Sequence, residues 1–193
     1  MTSAPFLDAK LRACVKRALD KAGVHAYDNL TTLSCNALGI RDAAGINNLR
    51  GLQSLSLFGN QLSAIDISAL SQLKSLNLAN NALTTIDLGP NSALTTLYLF
   101  GNRLEELNLQ PLESLVKLKA EKNQIVTTRF PATSRLEKVY LFDNKMLDIK
   151  IDSLTELKFI DVRSNPMPDA VYDYLDTFSG VKASHDGNTD DWK

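Results

Sequence analysis

Apolar and polar positions follow one short rhythm that restarts along most of this chain. "LQSLSLFGNQL" (52–62), "LKSLNLANNAL" (73–83) and "LTTLYLFGNRL" (94–104) each carry leucine at the first, fourth, sixth and eleventh positions and asparagine at the ninth. Further copies begin at Leu115, Leu136 and Leu157, so that Asn60, Asn81, Asn102, Asn123, Asn144 and Asn165 recur at a constant step of 21. An earlier, degenerate copy, "LTTLSCNALGI", begins at Leu30, is one residue longer and has Leu38 in the asparagine position. The L-x-L alternation has the period of a strand whose leucines face inward and whose intervening residues face out. A unit this short cannot bury its apolar face alone. Copies stacked at the strand spacing of about 4.8 Å share one core and one parallel sheet. Asparagine falls where the chain leaves the strand, and its amide both donates and accepts, so a column of asparagines satisfies polar groups buried at the turn. The other letters drift, which leaves them available for function.

The second half of each unit repeats the apolar pattern, as at Leu62, Ile65, Ile67 and Leu70. It is short and β-branched, which predicts extended or 3₁₀ segments rather than helices of several turns. Asp66, Asp87, Asn108, Arg129 and Lys150 recur there as a predicted solvated rim.

The pattern L-x-x-L-x-L-x-x-N-x-L, kept in register through seven copies over residues 30–167, resembles the leucine-rich repeat. The 21-residue step with a doubled L-x-x-L-x-L resembles the bacterial class of internalin-like exported proteins. The resemblance implies an α/β repeat solenoid: a β-rich, right-handed superhelix with a concave parallel sheet, short convex segments and a helical cap at each end. The domain division expected is an N-terminal cap over 1–29, the solenoid over 30–167, and a C-terminal cap with a polar tail over 168–193.

Caps are required because a solenoid's end units expose core. In "FLDAKLRACVKRALDKAG", Leu7, Leu11, Cys14, Ala18 and Ala22 predict one helical face, and Gly23 predicts its stop. In "PDAVYDYLDTFSG" (168–180), Val171, Leu175 and Phe178 predict a second face, with Pro168 near the helix start. The tail from His185 is polar and expected to fray. Cys35 holds the inward sixth position of the first unit, and Cys14 lies on the cap face that must cover it. These two cysteines, the chain's total, are expected as neighbours, either bridged or as two buried thiols. A bridge tying cap to solenoid resembles the N-terminal region of exported proteobacterial leucine-rich repeat proteins.

Composition narrows the function classes. A net charge of −1 gives no long-range attraction to nucleic acid or anionic membranes. No apolar run approaches the roughly 18 residues of a membrane span, and no membrane insertion is expected. The start "MTSAPF" lacks the regions of a signal peptide, which fits a cytoplasmic protein or a mature chain whose leader was removed. The second reading places the protein in the periplasm, at the cell surface or in the medium, and a disulfide favours it.

Catalytic patterns are thin. His25 and His185 stand in no motif, and Cys14 with His25 lacks any visible oxyanion loop. No H-E-x-x-H, G-x-S-x-G, P-loop or G-x-G-x-x-G is found. Asp186, Asn188 and Asp190 alternate like the start of a calcium loop, but the glycine and the closing glutamate are missing. "NLT" at 29–31 fits the three-residue glycosylation pattern, which is common by chance. The chain is read as no enzyme, with no cofactor and no metal.

The outward third, fifth, seventh and eighth positions carry the functional expectation. They hold Phe58, Tyr98, Phe100, Tyr140, Phe142 and Phe159, half of the chain's Phe and Tyr, beside Lys117, Lys119 and Lys138. Lys122 flanks the same group. Aromatic rows edged with lysine are the composition of a protein-binding face, although sheet propensity alone also favours aromatics. The reading is a monomeric, non-enzymatic module that holds a partner protein on its concave sheet, in a role such as adhesin, virulence factor or toxin inhibitor. A carbohydrate-binding surface protein, or a repeat domain detached from a larger effector, are the alternatives.

Overall fold

The computed structural model describes residues 6–187, and the pattern of the sequence is laid out there unit by unit. Helix α1 (Ala9–Ala22) comes first, followed by strands β1 (Thr32–Ser34), β2 (Ser54–Ser56), β3 (Ser75–Asn77) and β4 (Thr96–Tyr98). Then come β5 (Glu106–Asn108), β6 (Lys117–Lys119), β7 (Thr127–Arg129), β8 (Lys138–Tyr140), β9 (Phe159–Asp161), helix α2 (Asp169–Asp176) and β10 (Lys182–Ser184). Eight strands form one parallel sheet in the order β1-β2-β3-β4-β6-β8-β9-β10. Register follows the repeat, so Leu33, Leu55, Leu76, Leu97, Leu118, Val139 and Ile160 stand side by side. All seven are buried, each contributing about 1.5–3 kcal/mol relative to an exposed side chain. On the convex side β5 and β7 pair as a small second parallel sheet, and Ile46–Asn48 forms a 3₁₀ turn.

The asparagine column is real and one-sided. Asn102 Nδ2 donates to its own unit at Leu99 O (2.9 Å) and to the preceding unit at Leu78 O (3.0 Å), while Leu83 N–H donates to its Oδ1 (3.0 Å). Asn81, Asn123, Asn144 and Asn165 repeat that set. Asn60 reaches back to the degenerate first unit, accepting from Leu38 N–H and Ile40 N–H and donating to Cys35 O. Each asparagine therefore ties its own turn to the one before.

Two features of the repeat differ from the expectation. The eighth position is not a free outward site: Ala37, Gly59, Asn80, Gly101, Lys122, Asp143 and Ser164 all take φ between 53° and 67°. This left-handed residue turns the chain into the asparagine, and only two of the seven are glycine. On the convex rim, Asp66 Oδ1 accepts from Ser68 N–H (2.9 Å), Asp87 Oδ1 from Gly89 N–H (2.9 Å) and Asn108 Oδ1 from Gln110 N–H (3.1 Å). That part of the exposed row closes Asx-turns as well as facing water. The Ser68 and Asn47 contacts hold the Asp66 carboxyl below its usual range.

The caps also differ in detail. The buried face of α1 is Leu11, Cys14 and Val15, joined by Phe6 ahead of the helix, whereas Leu7 is 70% exposed and Ala22 faces solvent. Asp8 caps the start, accepting from Lys10 and Leu11 N–H, and it accepts from Arg41 N–H in the first unit as well. Gly23 ends the helix at φ 67°. Cys14 and Cys35 form a disulfide, with Cα atoms 5.9 Å apart. At the other end, Val171, Tyr172 and Leu175 are the buried residues of α2, and Phe178 lies beyond the helix, half-buried. Strand β10, unforeseen, extends the sheet past β9, pairing Ala183 with Ile160. The start of the tail is anchored: His185 stacks on Tyr172 (4.8 Å) and Asp186 Oδ2 accepts from Ser164 N–H (2.6 Å). Asn188 and Asp190 of the calcium-like pattern lie outside the described residues.

Candidate functional site

The concave sheet sets the third and fifth positions of successive units in straight rows, because the strands pair in register. Thr96, Lys117, Lys138 and Phe159 form one row, and Tyr98, Lys119, Tyr140 and Asp161 the next. The pleat sends these side chains to the face opposite the leucines. Lys119 Nζ lies 6.0 Å from the Tyr98 ring centroid and 5.0 Å from that of Tyr140, and Lys117 Nζ lies 5.4 Å from Tyr98. Such cation–π contacts hold long, flexible lysines over the rings at about 0.5–1 kcal/mol each. Tyr140 also packs on Phe159, with centroids 5.2 Å apart. Tyr98, Lys117, Lys119, Tyr140 and Phe159 are thus one connected group, with Lys138 exposed beside them.

The seventh positions form a parallel row behind it. Phe58 and Phe100 meet at 6.2 Å although a whole unit separates them, because the unit between carries Ala79, which is fully buried. Phe142 lies under Arg163, whose guanidinium carbon is 5.9 Å from the ring centroid. All nine residues named from the sequence stand on this face; seven of them join through ring and cation contacts in two groups, Phe58 with Phe100 making the smaller, and Lys138 and Phe142 border the larger one.

Charged residues that pattern reading passed over complete the face. Arg163 grips Asp161 with two bonds, Nε to Oδ1 (2.9 Å) and a terminal nitrogen to Oδ2 (2.7 Å). Asp161 is 2% exposed, and the exposed Arg163 is held above its usual range by that hydrogen bond and charge. Glu121 takes the seventh position between Phe100 and Phe142, is 8% exposed, and its Oε2 has no hydrogen-bond partner. Burial, the largest effect, pushes its carboxyl above the usual carboxylate range; Asp161 adds to this, while its own N–H, Lys119 and Lys122 oppose it. The available signal was an acid breaking an aromatic row, which composition does not weigh.

Among the described residues no group of three or more His, Cys, Asp or Glu is arranged to hold a metal ion, and no helix is long and apolar enough to cross a membrane.

The family described as "Leucine Rich repeats (2 copies)" matches residues 50–90. That stretch carries leucine-rich repeats, and the chain as a whole is similar in fold to internalins. Internalin C2 from Listeria monocytogenes is similar in structure at a TM-score of 0.64 with 25% identity, the alignment covering 94% of each chain. The functional domain of InlJ from Listeria monocytogenes, which includes a cysteine ladder, is similar at a TM-score of 0.52 with 18% identity. That alignment covers 94% of this chain and 60% of the InlJ domain, so this chain spans less than two thirds of that relative. No curated protein matches by sequence. At these identities the likeness is one of fold.

Proposed function

We propose that this internalin-like protein is a non-enzymatic binding module that holds a partner protein on its concave sheet. The observation that carries the reading is the connected group of Tyr98, Lys117, Lys119, Tyr140 and Phe159 on a face that the fold itself does not cover. Rings already braced by neighbours lose little side-chain entropy on docking, which is the property of an interface anchor. Phe58, Phe100 and Phe142 widen the patch along the seventh row, and Lys138 extends its basic edge. The two-sided use of Lys119 favours a partner with acidic groups over a neutral glycan. The Cys14–Cys35 bridge supports a site of action in an oxidising compartment: the periplasm, the cell surface or the medium. The division into an N-terminal cap, a solenoid over 30–167 and a C-terminal cap belongs to the same reading.

Crosslinking capture from lysate with mass spectrometry, repeated with Phe100→Ala and Tyr140→Ala, tests it. One protein captured by the wild type and lost with both variants is the expected result. Equal capture by all three overturns the concave site. Binding on a glycan array, abolished by the same variants, transfers the site to a carbohydrate.

A further inference from the structure

Glu121 is the one acid in a seventh-position row that otherwise reads Asn36, Phe58, Ala79, Phe100, Phe142 and Arg163. Its neighbours enclose it without serving it. Phe100 meets Phe58 at 6.2 Å, and Phe142 lies beneath Arg163 at 5.9 Å. The carboxyl is 8% exposed, and although its own backbone N–H supports it, Oε2 is kept from water without a donor. Buried polar atoms almost always have partners, so an orphan in the middle of an open face calls for an explanation.

The charges around it are mixed. Lys119 and Lys122 come from its own unit, Lys138 and Asp143 stand on the next, and Asp161 comes from the last unit, bound to Arg163 at 2.7 Å. The preceding unit offers Thr96, Tyr98, Phe100 and Gly101, which carry no charge. Ionised, Glu121 offsets Lys119, the residue at the centre of the tyrosine pair. Neutral, it leaves the positive charge of Lys117, Lys119 and Lys138 beside the rings less opposed.

We propose that the concave face takes an acidic partner surface, and that docking is accompanied by the uptake of a proton at Glu121. The inference rests on the concave face being the binding site. A partner carboxylate seated on Lys119 brings a second negative charge towards Glu121, and the same partner removes the remaining water; both favour the neutral carboxyl. The proton comes from solvent and adds to one carboxylate oxygen, turning an acceptor into an O–H donor for the arriving carboxylate. Binding and protonation then reinforce one another by the same factor in each direction. The raised carboxyl in the free protein is the same tendency before a partner arrives.

The test is calorimetric titration of the full chain with a short poly-aspartate peptide, repeated in buffers of different ionisation enthalpy. At about pH 6 the peptide's own carboxylates, with unperturbed values near 3.9, stay ionised, so any proton taken up belongs to the protein. The wild type is expected to take up a measurable fraction of a proton per peptide, and to bind more tightly as pH falls, by at most about tenfold per pH unit. Glu121→Gln is expected to bind without proton uptake, more tightly than wild type at neutral pH and with a flat pH profile. The proposal falls if wild type binds without uptake, if Glu121→Gln keeps the uptake, or if poly-aspartate does not bind at all. A carboxyl-carbon NMR titration of Glu121 in the wild type supplies a control that needs no variant: an ordinary glutamate midpoint, unmoved by the peptide, also overturns it. Failure here leaves the capture losses of Phe100→Ala and Tyr140→Ala intact, whereas failure of the concave site abolishes those losses.

Discussion

Phe58 and Phe100 touch across a full repeat, ring centroids 6.2 Å apart, with Ala79 sealed beneath them. The pair stands on the sheet's outer face, apart from the leucine core. Phe100→Ala is therefore expected to reduce stability by only about 1 kcal/mol, the scale of an aromatic pair. The same change should weaken a concave-face partner by about 2 kcal/mol or more. Melting temperature and partner affinity measured on one preparation separate the two effects. A large stability loss with unchanged affinity would make the ring structural.

Asn102→Ala is expected to cost about 1–3 kcal/mol, because Leu78 O, Leu99 O and Leu83 N–H lose a buried partner. The damage should run one way. Hydrogen exchange at Leu83 N–H should accelerate, while Leu104 N–H, held by Asn123 Oδ1 at 3.1 Å, keeps its protection. Symmetric loss on both sides would contradict the one-sided column.

The left-handed eighth position predicts two opposite outcomes. Ala37, at φ 53°, has a side chain where backbone geometry favours none, so Ala37→Gly should stabilise by about 0.5–1 kcal/mol. Gly101→Ala should destabilise by at least that much, since a Cβ there runs into Asn80 Oδ1. Urea midpoints of the two variants, moving apart from wild type, are the check.

Reducing the Cys14–Cys35 bridge should cost about 3 kcal/mol by the loop-entropy argument for a separation of 21 residues. Thermal melts with and without reductant measure it. Two alkylatable thiols in the untreated, denatured protein would show that no bridge had formed.

Glu121 also gives stability a pH signature. Its folded carboxyl is raised, so between the unfolded value and the folded one the native state holds a proton that the unfolded state has released. Stability contributed by this group is present at acid pH and is lost as pH rises through that window. Glu121→Gln removes the loss. Its melting temperature should exceed wild type at neutral pH, because the variant has no charge to bury, with no advantage at low pH. A constant offset at every pH would assign the effect to packing.

Much of this was written in the chain itself. A step of 21 with inward leucine and a turn asparagine admits one arrangement, because every unit must stack its apolar face on the next and satisfy the same buried turn. The outward direction of Tyr98, Phe100 and Tyr140 follows from that periodicity, and the meeting of Cys14 with Cys35 from the helical face of the cap that must cover the first unit. Periodicity gives direction but not contact. It could not show that Phe58 reaches Phe100 because Ala79 is small, that Asn102 ties its own turn to the unit before it and not to the one after, or that Lys122 is held left-handed. Nor could it show that Glu121 loses its water while Asp161 gains Arg163, since burial and pairing on an open face depend on which neighbours lean over which. Strand β10 escaped for a related reason: Lys182–Ser184 has no repeat of its own, and it becomes a strand only because β9 presents an unpaired edge.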